Sequence, residues 1–297
     1  MTQNGRRSSP IEHGFPHLDT VRAAITALFR RLSYEGIRAY DTSFAPADAA
    51  FAADDDLHLG AHRVASAIVR ALRLPDARMV VCFRAMEQAA TVELAAGPEY
   101  FIEVNDRFRT HRRDLAAALA HEVTHVLLHR LDLRFPATAD NEILTDTAAA
   151  YLGAGWLLLD AYREDELTHQ KLGYLTPEEF GYVLARRALV PGGDEDLSTW
   201  FTSPQAYEAY VRGRALAGRE LRRAPLAAAD RAQRRRYARD RRAGAAAPGA
   251  SYGFEEHPAG TRVSFPCPVC GQRLRLPVRG PVRARCGLCR TVLDCET

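Results

Sequence analysis

Residues 121–125 read His-Glu-Val-Thr-His, and the two histidines of this pentapeptide stand four positions apart. On a helix, this spacing puts both imidazoles on one face, about 6 Å apart along the axis, so both rings can reach a single metal ion. Glu122 lies between them, is not needed as a ligand, and is the residue type that serves as general base in zinc-dependent hydrolysis. The chemistry indicated is metal-assisted hydrolysis, although a pentapeptide of this kind also arises by chance.

A second group of ligand-type residues follows in the segment Asp140 to Asp146. Glu142 and Asp146 are four positions apart, so a helix that begins near Asp140 brings both carboxylates onto one face. Glu142 is then a candidate third metal ligand, and Asp146 can accept a hydrogen bond from a metal-bound histidine and fix its tautomer. The alternative is that both acidic residues only complement the positive end of the helix dipole.

The sequence His-Glu-Val-Thr-His followed by Asn-Glu-Ile-Leu-Thr-Asp resembles the gluzincins, the thermolysin-like zinc peptidases. The short interval between the two motifs is closer to the ImmA/IrrE-like minigluzincins. This resemblance covers about a quarter of the chain, residues 79–159. It implies that His121, His125 and Glu142 bind zinc, that Glu122 is the base, and that Asp146 supports a ligand from behind.

The family's transition-state hydrogen-bond donor has no recognisable motif in this chain. The nearest candidates for stabilising an oxyanion are His169 and Tyr174, which lie downstream of the two metal motifs. Each is also consistent with a purely structural role. Pro177 favours the start of another helix directly after the turn that contains Tyr174.

Most of the elements that must position these residues are predicted to be helices. Helical spacing of apolar residues predicts one helix around the pentapeptide, from about Arg113 to Leu131, with Leu115, Leu119, Val123 and Val126 on its apolar stripe. A second helix is predicted from Asn141 to about Asp160. It carries no charge over its second half but is too short to cross a membrane.

Three runs rich in β-branched and aromatic residues precede the pentapeptide and predict short strands at 78–83, 90–94 and 100–104. The resemblance implies that they form a small antiparallel sheet. We expect the strand from Tyr100 to Val104 to lie at its edge, where an extended peptide can add as a further strand. The expected class is therefore α+β: a mostly helical, minigluzincin-like metallopeptidase domain with a small antiparallel sheet.

Four cysteines near the end of the chain form two Cys-x-x-Cys pairs, namely Cys267 with Cys270 and Cys286 with Cys289. This pattern indicates a tetrahedral structural zinc site with all four positions closed, and the segment resembles a zinc ribbon. Disulfides are the alternative, but they require an oxidising compartment, for which no sequence feature argues. Cys295 has no assignment.

The segment before the ribbon is rich in arginine and is predicted to be helical up to Ala243. Such a run is usually a solvated face, but it can also dock on phosphates or on an acidic protein. The ribbon is itself basic. It has few aromatic residues, so a base-stacking platform is not expected. Residues 244–253 are mostly Gly, Ala, Pro and Ser and read as a linker.

Composition and length allow a sizeable core, with 297 residues of which 47% are hydrophobic and 26% charged, and a net charge of +3. The predicted units are a disordered tail (1–17), a zinc metallopeptidase-like domain (18–225), an arginine-rich helix with a linker (226–262) and a zinc ribbon (263–297). The sequence shows neither a signal peptide nor a membrane-spanning run. We therefore expect a cytoplasmic protein with no membrane partner.

These observations predict a zinc metalloendopeptidase that uses one catalytic and one structural zinc ion and hydrolyses peptide bonds of an intracellular protein or peptide. The competing hypothesis is a nucleic-acid- or protein-binding regulator whose His-Glu-x-x-His domain is a zinc-stabilised scaffold. Contact with nucleic acid or an acidic protein through the arginine-rich helix and ribbon is consistent with both hypotheses. Glu122 favours the peptidase, because a purely structural site has no use for it.

Overall fold

The computed structural model of the protein describes residues 11–51, 55–164, 169–190 and 197–297. Its helices are α1 (Leu18–Arg38), α2 (Pro46–Ala49), α3 (Leu57–Ala71), α4 (Leu115–Arg130), α5 (Thr138–Tyr151), α6 (Trp156–Asp160), α7 (Pro177–Arg187), α8 (Pro204–Glu220) and α9 (Arg231–Ala243). Its strands are β1 (Arg78–Arg84), β2 (Ala90–Glu93), β3 (Glu99–Asn105), β4 (Arg163–Glu164), β5 (His169–Gln170), β6 (Gly253–Glu255), β7 (Arg262–Pro266), β8 (Arg273–Pro277), β9 (Pro281–Arg285) and β10 (Val292–Glu296). The predicted α+β class is confirmed. Among the helices of these ranges, none has both the length and the apolar character needed to cross a bilayer.

Helix α4 is the buried centre of the fold. The predicted apolar stripe is confirmed, because Leu115, Leu119, Val123 and Val126 are all inaccessible to solvent. The helix packs against α3, α5 and α6 and against strands β2 and β3. Its alanine-rich first half, which has high helix propensity, leaves room for this close packing on several sides.

The sheet beside α4 has the strand order β1–β3–β2, in which β3 pairs parallel with β1 and antiparallel with β2. The strand containing Tyr100 to Val104 therefore lies in the middle of the sheet, and its predicted position at the edge is wrong. Alternating burial along β3 shows which face is covered but does not report strand order. The edge strand that packs against α4 is β2.

The predicted continuous helix from Asn141 to Asp160 is two helices, α5 and α6, separated by a sharp turn. Gly153 has φ +103°, a conformation that favours glycine. A Cβ on Gly155 would lie 2.4 Å from the backbone nitrogen of Ala150, so the chain approaches itself too closely for any side chain there. Apolar periodicity does not reveal this turn because the residues on both sides are buried.

The cysteine-rich segment forms an antiparallel sheet β6–β7–β8 and an antiparallel pair β9–β10. It packs against the helices. The carbonyl of Val269 accepts a hydrogen bond from Nη2 of Arg186 (2.9 Å), and that of Cys270 accepts one from Oγ1 of Thr26 (2.7 Å). Arg186 is only 2% exposed, and its Nη1 donates to Oε2 of Glu220 at 2.7 Å. A buried ion pair thus supports the contact between the two parts of the chain.

The tail predicted for residues 1–17 lies partly outside the described residues, which begin at position 11. The described part is held against α7. The carbonyl of Gly14 accepts a hydrogen bond from Oγ1 of Thr176 at 2.7 Å, and the backbone nitrogen of His17 donates to Glu179 at 2.5 Å. Residues 11–17 are therefore not a loose tail.

Helices α7 and α8 cross at glycines. A Cβ on Gly213 of α8 would lie 2.2 Å from the backbone nitrogen of Tyr182 on α7. A Cβ on Gly181 would lie 2.7 Å from the carbonyl oxygen of Ala209. The two backbones therefore touch directly, and the crossing has no room for even a methyl group.

Gly213→Ala is expected to destabilise the zinc-loaded protein by about 1–3 kcal/mol or more, because the crossing is already filled by backbone atoms. Gly218→Ala on the same helix is the matched control. Its Cβ would meet nothing closer than Arg222 Nη2 at 3.5 Å, so helix propensity should stabilise the protein by up to about 1 kcal/mol. Urea unfolding measures both variants. Equal stability of Gly213→Ala and wild type would contradict the close crossing.

Candidate metal centre

Helices α4 and α5 bring His121, His125 and Glu142 together at one point. The Nε2 atoms of the two histidines are 3.1 Å apart, and Oε2 of Glu142 lies 3.2 Å from Nε2 of His121 and 3.3 Å from Nε2 of His125. A tetrahedral zinc ion with bonds of about 2.0–2.1 Å requires ligand atoms about 3.3 Å apart. The triangle of atoms therefore has the size of one face of a zinc tetrahedron, and these three residues can hold a metal ion.

Asp146 fixes the tautomer of His121. Its Oδ1 accepts a hydrogen bond from Nδ1 of His121 at 2.8 Å, so the Nδ1 atom carries the proton. The Nε2 lone pair of His121 is therefore directed at the other two ligand atoms. This contact is the one predicted from the spacing of Glu142 and Asp146.

Thr145, which was not predicted as a site residue, fixes the tautomer of His125. Its hydroxyl donates to the carbonyl of Asn141 at 3.0 Å, so at 3.3 Å it is placed to accept the proton on Nδ1 of His125. Thr145 is fully buried next to Asp146 on α5. The signal available in the sequence was its position one turn after Glu142.

With both Nδ1 atoms protonated, two imidazole lone pairs and one carboxylate oxygen point at a common centre. The three atoms that carry them are 3.1–3.3 Å from one another. Such an arrangement is repulsive unless a cation lies between the atoms, so the donor set fits a metal ion such as zinc. Burial raises the pKa of Glu142, but its contacts with His121 and His125 lower the pKa to about 2. The carboxylate is thus ionised at any physiological pH.

His121 links metal binding to pH. Burial lowers its pKa, but the hydrogen bond and negative charge of Asp146 and the bond to Glu142 outweigh burial and raise the pKa well above 6.5. A proton therefore competes with a metal ion for this imidazole near neutral pH. Metal affinity is expected to rise as the pH increases through the pKa of His121.

A loop after β5 encloses the carboxylate of Asp146. Its Oδ2 accepts hydrogen bonds from the backbone nitrogens of Tyr174 and Leu175. Gly173 has φ +80°, and a Cβ there would lie 2.6 Å from Oδ2, so only glycine permits this approach. Lys171 holds the loop from the other side, because its Nζ donates to the carbonyls of Tyr174 (3.2 Å) and Leu175 (2.9 Å).

Glu122 is 6% exposed and is not one of the three converging residues. Burial raises its pKa, and the negative charges of Glu142 and Asp146 add to this rise, while His121 and His125 oppose it. A carboxylate with a raised pKa beside a metal site has the property expected of a general base.

The two candidates for oxyanion stabilisation lie in different places. The ring of Tyr174 stacks beside that of His121, with ring centres 6.1 Å apart and the planes at 27°. Burial and the charges of Glu142, Asp146 and Glu122 raise the pKa of its phenol, which keeps the hydroxyl protonated. His169 lies in β5, where its Nδ1 is 3.6 Å from Glu164. Tyr174 is therefore beside the metal ligands, whereas the described contact of His169 is with another group.

The four ribbon cysteines form a second cluster that can hold a metal ion, and all are buried. The Sγ atoms of Cys267 and Cys289 are 3.6 Å apart, as are those of Cys270 and Cys286. A tetrahedral zinc ion with Zn–S bonds of about 2.3 Å requires sulfur atoms about 3.8 Å apart, whereas a disulfide requires about 2.05 Å. The cluster fits a zinc ribbon. Cys295 is buried outside it, and burial raises the pKa of its thiol to about 11.

Comparison of the chain with models of protein families, with curated proteins and with solved structures gives no match.

Thr145→Val is expected to lower the zinc affinity of the histidine site by about 10–100-fold, because the isosteric side chain can no longer accept the Nδ1 proton of His125. Thr147→Val is the matched control on the same helix. Among the described residues, the buried hydroxyl of Thr147 has no hydrogen-bond partner, so its removal should leave the affinity unchanged. Competition with a zinc chelator measures both affinities. Equal affinities in the two variants would rule out the positioning role of Thr145.

Zinc analysis of the loaded protein is expected to find two ions per chain, because the described residues contain two separate ligand sets. The double substitution His121→Ala, His125→Ala should remove one ion and leave the ion held by the cysteines. Elemental analysis with protein quantitation measures the ratio. One ion in wild type, retained in the double variant, would show that the histidine site does not bind zinc.

Proposed function

We propose that the protein is a zinc-dependent metallopeptidase of the gluzincin type, which hydrolyses peptide bonds of a protein or peptide substrate. The observation that carries the proposal is the set of converging lone pairs on His121, His125 and Glu142, with buried Glu122 beside them. A site that serves only to stabilise a fold is closed by four protein ligands, whereas three ligands leave one position for water or substrate.

Bound zinc would supply Lewis acidity at this position, which lowers the pKa of water and polarises a carbonyl. The carboxylate of Glu122 would take the proton from the attacking water and later deliver it to the nitrogen of the leaving amine. Burial raises its pKa, which makes the carboxylate a stronger base for taking up this proton.

Tyr174 is the candidate donor to the oxygen that becomes negatively charged. Its phenol stays protonated because its pKa is raised, and its ring lies beside His121. The backbone nitrogen of the same residue binds Asp146, so the loop holds the backbone of Tyr174 against the supporting carboxylate. A donor aimed at the position where negative charge develops would stabilise the transition state more than the ground state.

The substrate chain is proposed to add to the exposed edge of β2, the strand that packs against α4. Leu94, directly after β2, and His125 both line a cavity of about 310 Å³. Leu128 and Leu133 give this cavity an apolar wall, and His129 and Asp132 give it polar groups. A substrate side chain next to the scissile bond can occupy this space.

The competing proposal remains a binding regulator whose metal domain is a scaffold. It predicts that zinc-loaded protein leaves all peptides intact and that Glu122 can be replaced without consequence. The two proposals also differ at Tyr174, which has no task in a scaffold.

Glu122→Gln is expected to lower the rate of peptide cleavage by about 10²–10⁴-fold, because glutamine keeps the size but cannot accept the proton. Zinc content and thermal stability should stay at the wild-type values, since Glu122 is not a ligand. The substrate is a mixture of random-sequence decapeptides, and mass spectrometry in ¹⁸O-labelled water detects new carboxyl termini formed by hydrolysis.

Glu208→Gln, at an exposed glutamate on α8, is the matched control and should cleave at the wild-type rate. His121→Ala should lose both zinc from this site and activity. Equal rates of Glu122→Gln and wild type at equal zinc content would falsify the catalytic role of Glu122. No cleavage by zinc-loaded wild type would favour the scaffold.

A further inference from the structure

Helix α9 has a high density of positive charge. Its 13 residues include seven arginines and a single acidic residue, Asp240. This helix alone is more positive than the entire chain, whose net charge is +3. The rest of the protein therefore has a small net negative charge, and the net positive charge of the chain comes from this helix.

The buried face of α9 is anchored by Tyr237 and Asp240. The ring of Tyr237 packs edge-on against that of Tyr252 at 5.0 Å, and the hydroxyl of Tyr252 donates to Oδ2 of Asp240 at 2.8 Å. Asp240 also accepts a hydrogen bond from the backbone nitrogen of Ala247 at 3.1 Å. The one acidic side chain of the helix thus faces inward and is engaged there.

The opposite face of α9 is a row of arginines, which we call the arginine stripe: Arg231, Arg235, Arg239 and Arg242. All four are exposed. At 100° per residue they lie on the side of the helix away from Tyr237, and they extend about 16 Å along its axis. Like charges three or four positions apart repel one another on a helix. The fold holds them together on a rigid support, and a polyanion would relieve the repulsion.

Positive charge continues from the end of α9 onto the ribbon. Arg241 donates from Nη1 to the carbonyl of Thr297 at 2.8 Å, and the backbone nitrogen of Arg279 donates to Oγ1 of the same residue at 3.2 Å. Arg279 is exposed and adds a further positive charge near the end of the helix.

We propose that the arginine stripe binds the sugar-phosphate backbone of double-helical nucleic acid, independently of the metal centre on α4. Guanidinium groups bind phosphate oxygens in bidentate fashion, and a straight row of them matches the regular spacing of phosphates along a duplex. The stripe spans about half a helical turn of duplex. The contact carries no base-specific information, because it reaches phosphates only.

Two other polyanions fit this surface less well. Single strands are held by stacking on exposed aromatic rings, but Tyr237, Tyr252 and Phe254 pack against one another beneath the helix. Acidic proteins are held by apolar anchors at the centre of an interface, whereas the outward face of α9 offers arginine and alanine. A duplex needs neither feature.

The test measures binding of a fluorescein-labelled 20-base-pair DNA duplex, and of an RNA duplex of the same sequence, by anisotropy at several salt concentrations. The triple substitution Arg235→Gln, Arg239→Gln, Arg242→Gln is expected to weaken duplex binding roughly 100-fold or more at 0.1 M salt. The slope of log K against log salt should become shallower by about 2.7, or about 0.9 for each lost phosphate contact. The corresponding triple lysine variant keeps the charge and should keep most of the slope.

The matched control replaces three exposed arginines elsewhere, Arg38, Arg70 and Arg78, by glutamine and changes the net charge equally. It should bind duplex like wild type. Glu122→Gln should also bind duplex like wild type, because this substitution on α4 leaves the arginine stripe unchanged. Circular dichroism confirms that α9 stays helical. The two duplexes identify whether DNA, RNA or both are bound. Any of three results would overturn the proposal. They are equal duplex binding by the stripe and control variants, an affinity for a single strand equal to that for the duplex, and competition by polyglutamate as strong as that by unlabelled duplex.

Discussion

The structure around the metal centre depends on the direction of two imidazole lone pairs. Both Nε2 atoms can point at one ion only if both Nδ1 atoms keep their protons, and neighbouring side chains on α5 impose this condition through Asp146 and Thr145. The same helix supplies Glu142. The crossing of α4 and α5 thus fixes the candidate ligands and their protonation together.

The sequence allowed the ligands to be identified because helical periodicity converts spacing into position. His121, His125, Glu142 and Asp146 are each four residues from a partner, and local geometry alone brings such residues to one side. Thr145, Lys171 and Gly173 were missed because their contacts depend on how separate segments meet. A glycine, a lysine or a threonine has many roles, and only the position of Asp146 reveals which role applies here.

The same distinction, between local spacing and contacts of separate segments, explains the errors in the predicted fold. Alternation along β3 correctly indicated a strand, but strand order depends on long-range pairing, so Tyr100 to Val104 was assigned to the wrong position. The break between α5 and α6 was missed because both sides of the turn are equally apolar. Residues 244–253 were read as a linker from their small side chains, yet Ala247 and Tyr252 bind Asp240 of α9.

Arg186 joins the two parts of the chain that contain the candidate metal sites. Its guanidinium is buried between Glu220 and the carbonyl of Val269, which belongs to the first Cys-x-x-Cys turn of the ribbon. A charge without such partners is costly to bury, so the packing of α7 depends on an ordered ribbon. Helix α7 begins directly after the loop that binds Asp146. A continuous series of contacts therefore joins the cysteine cluster to the loop behind the histidine site, and any coupling of metal binding through it would act equally in both directions.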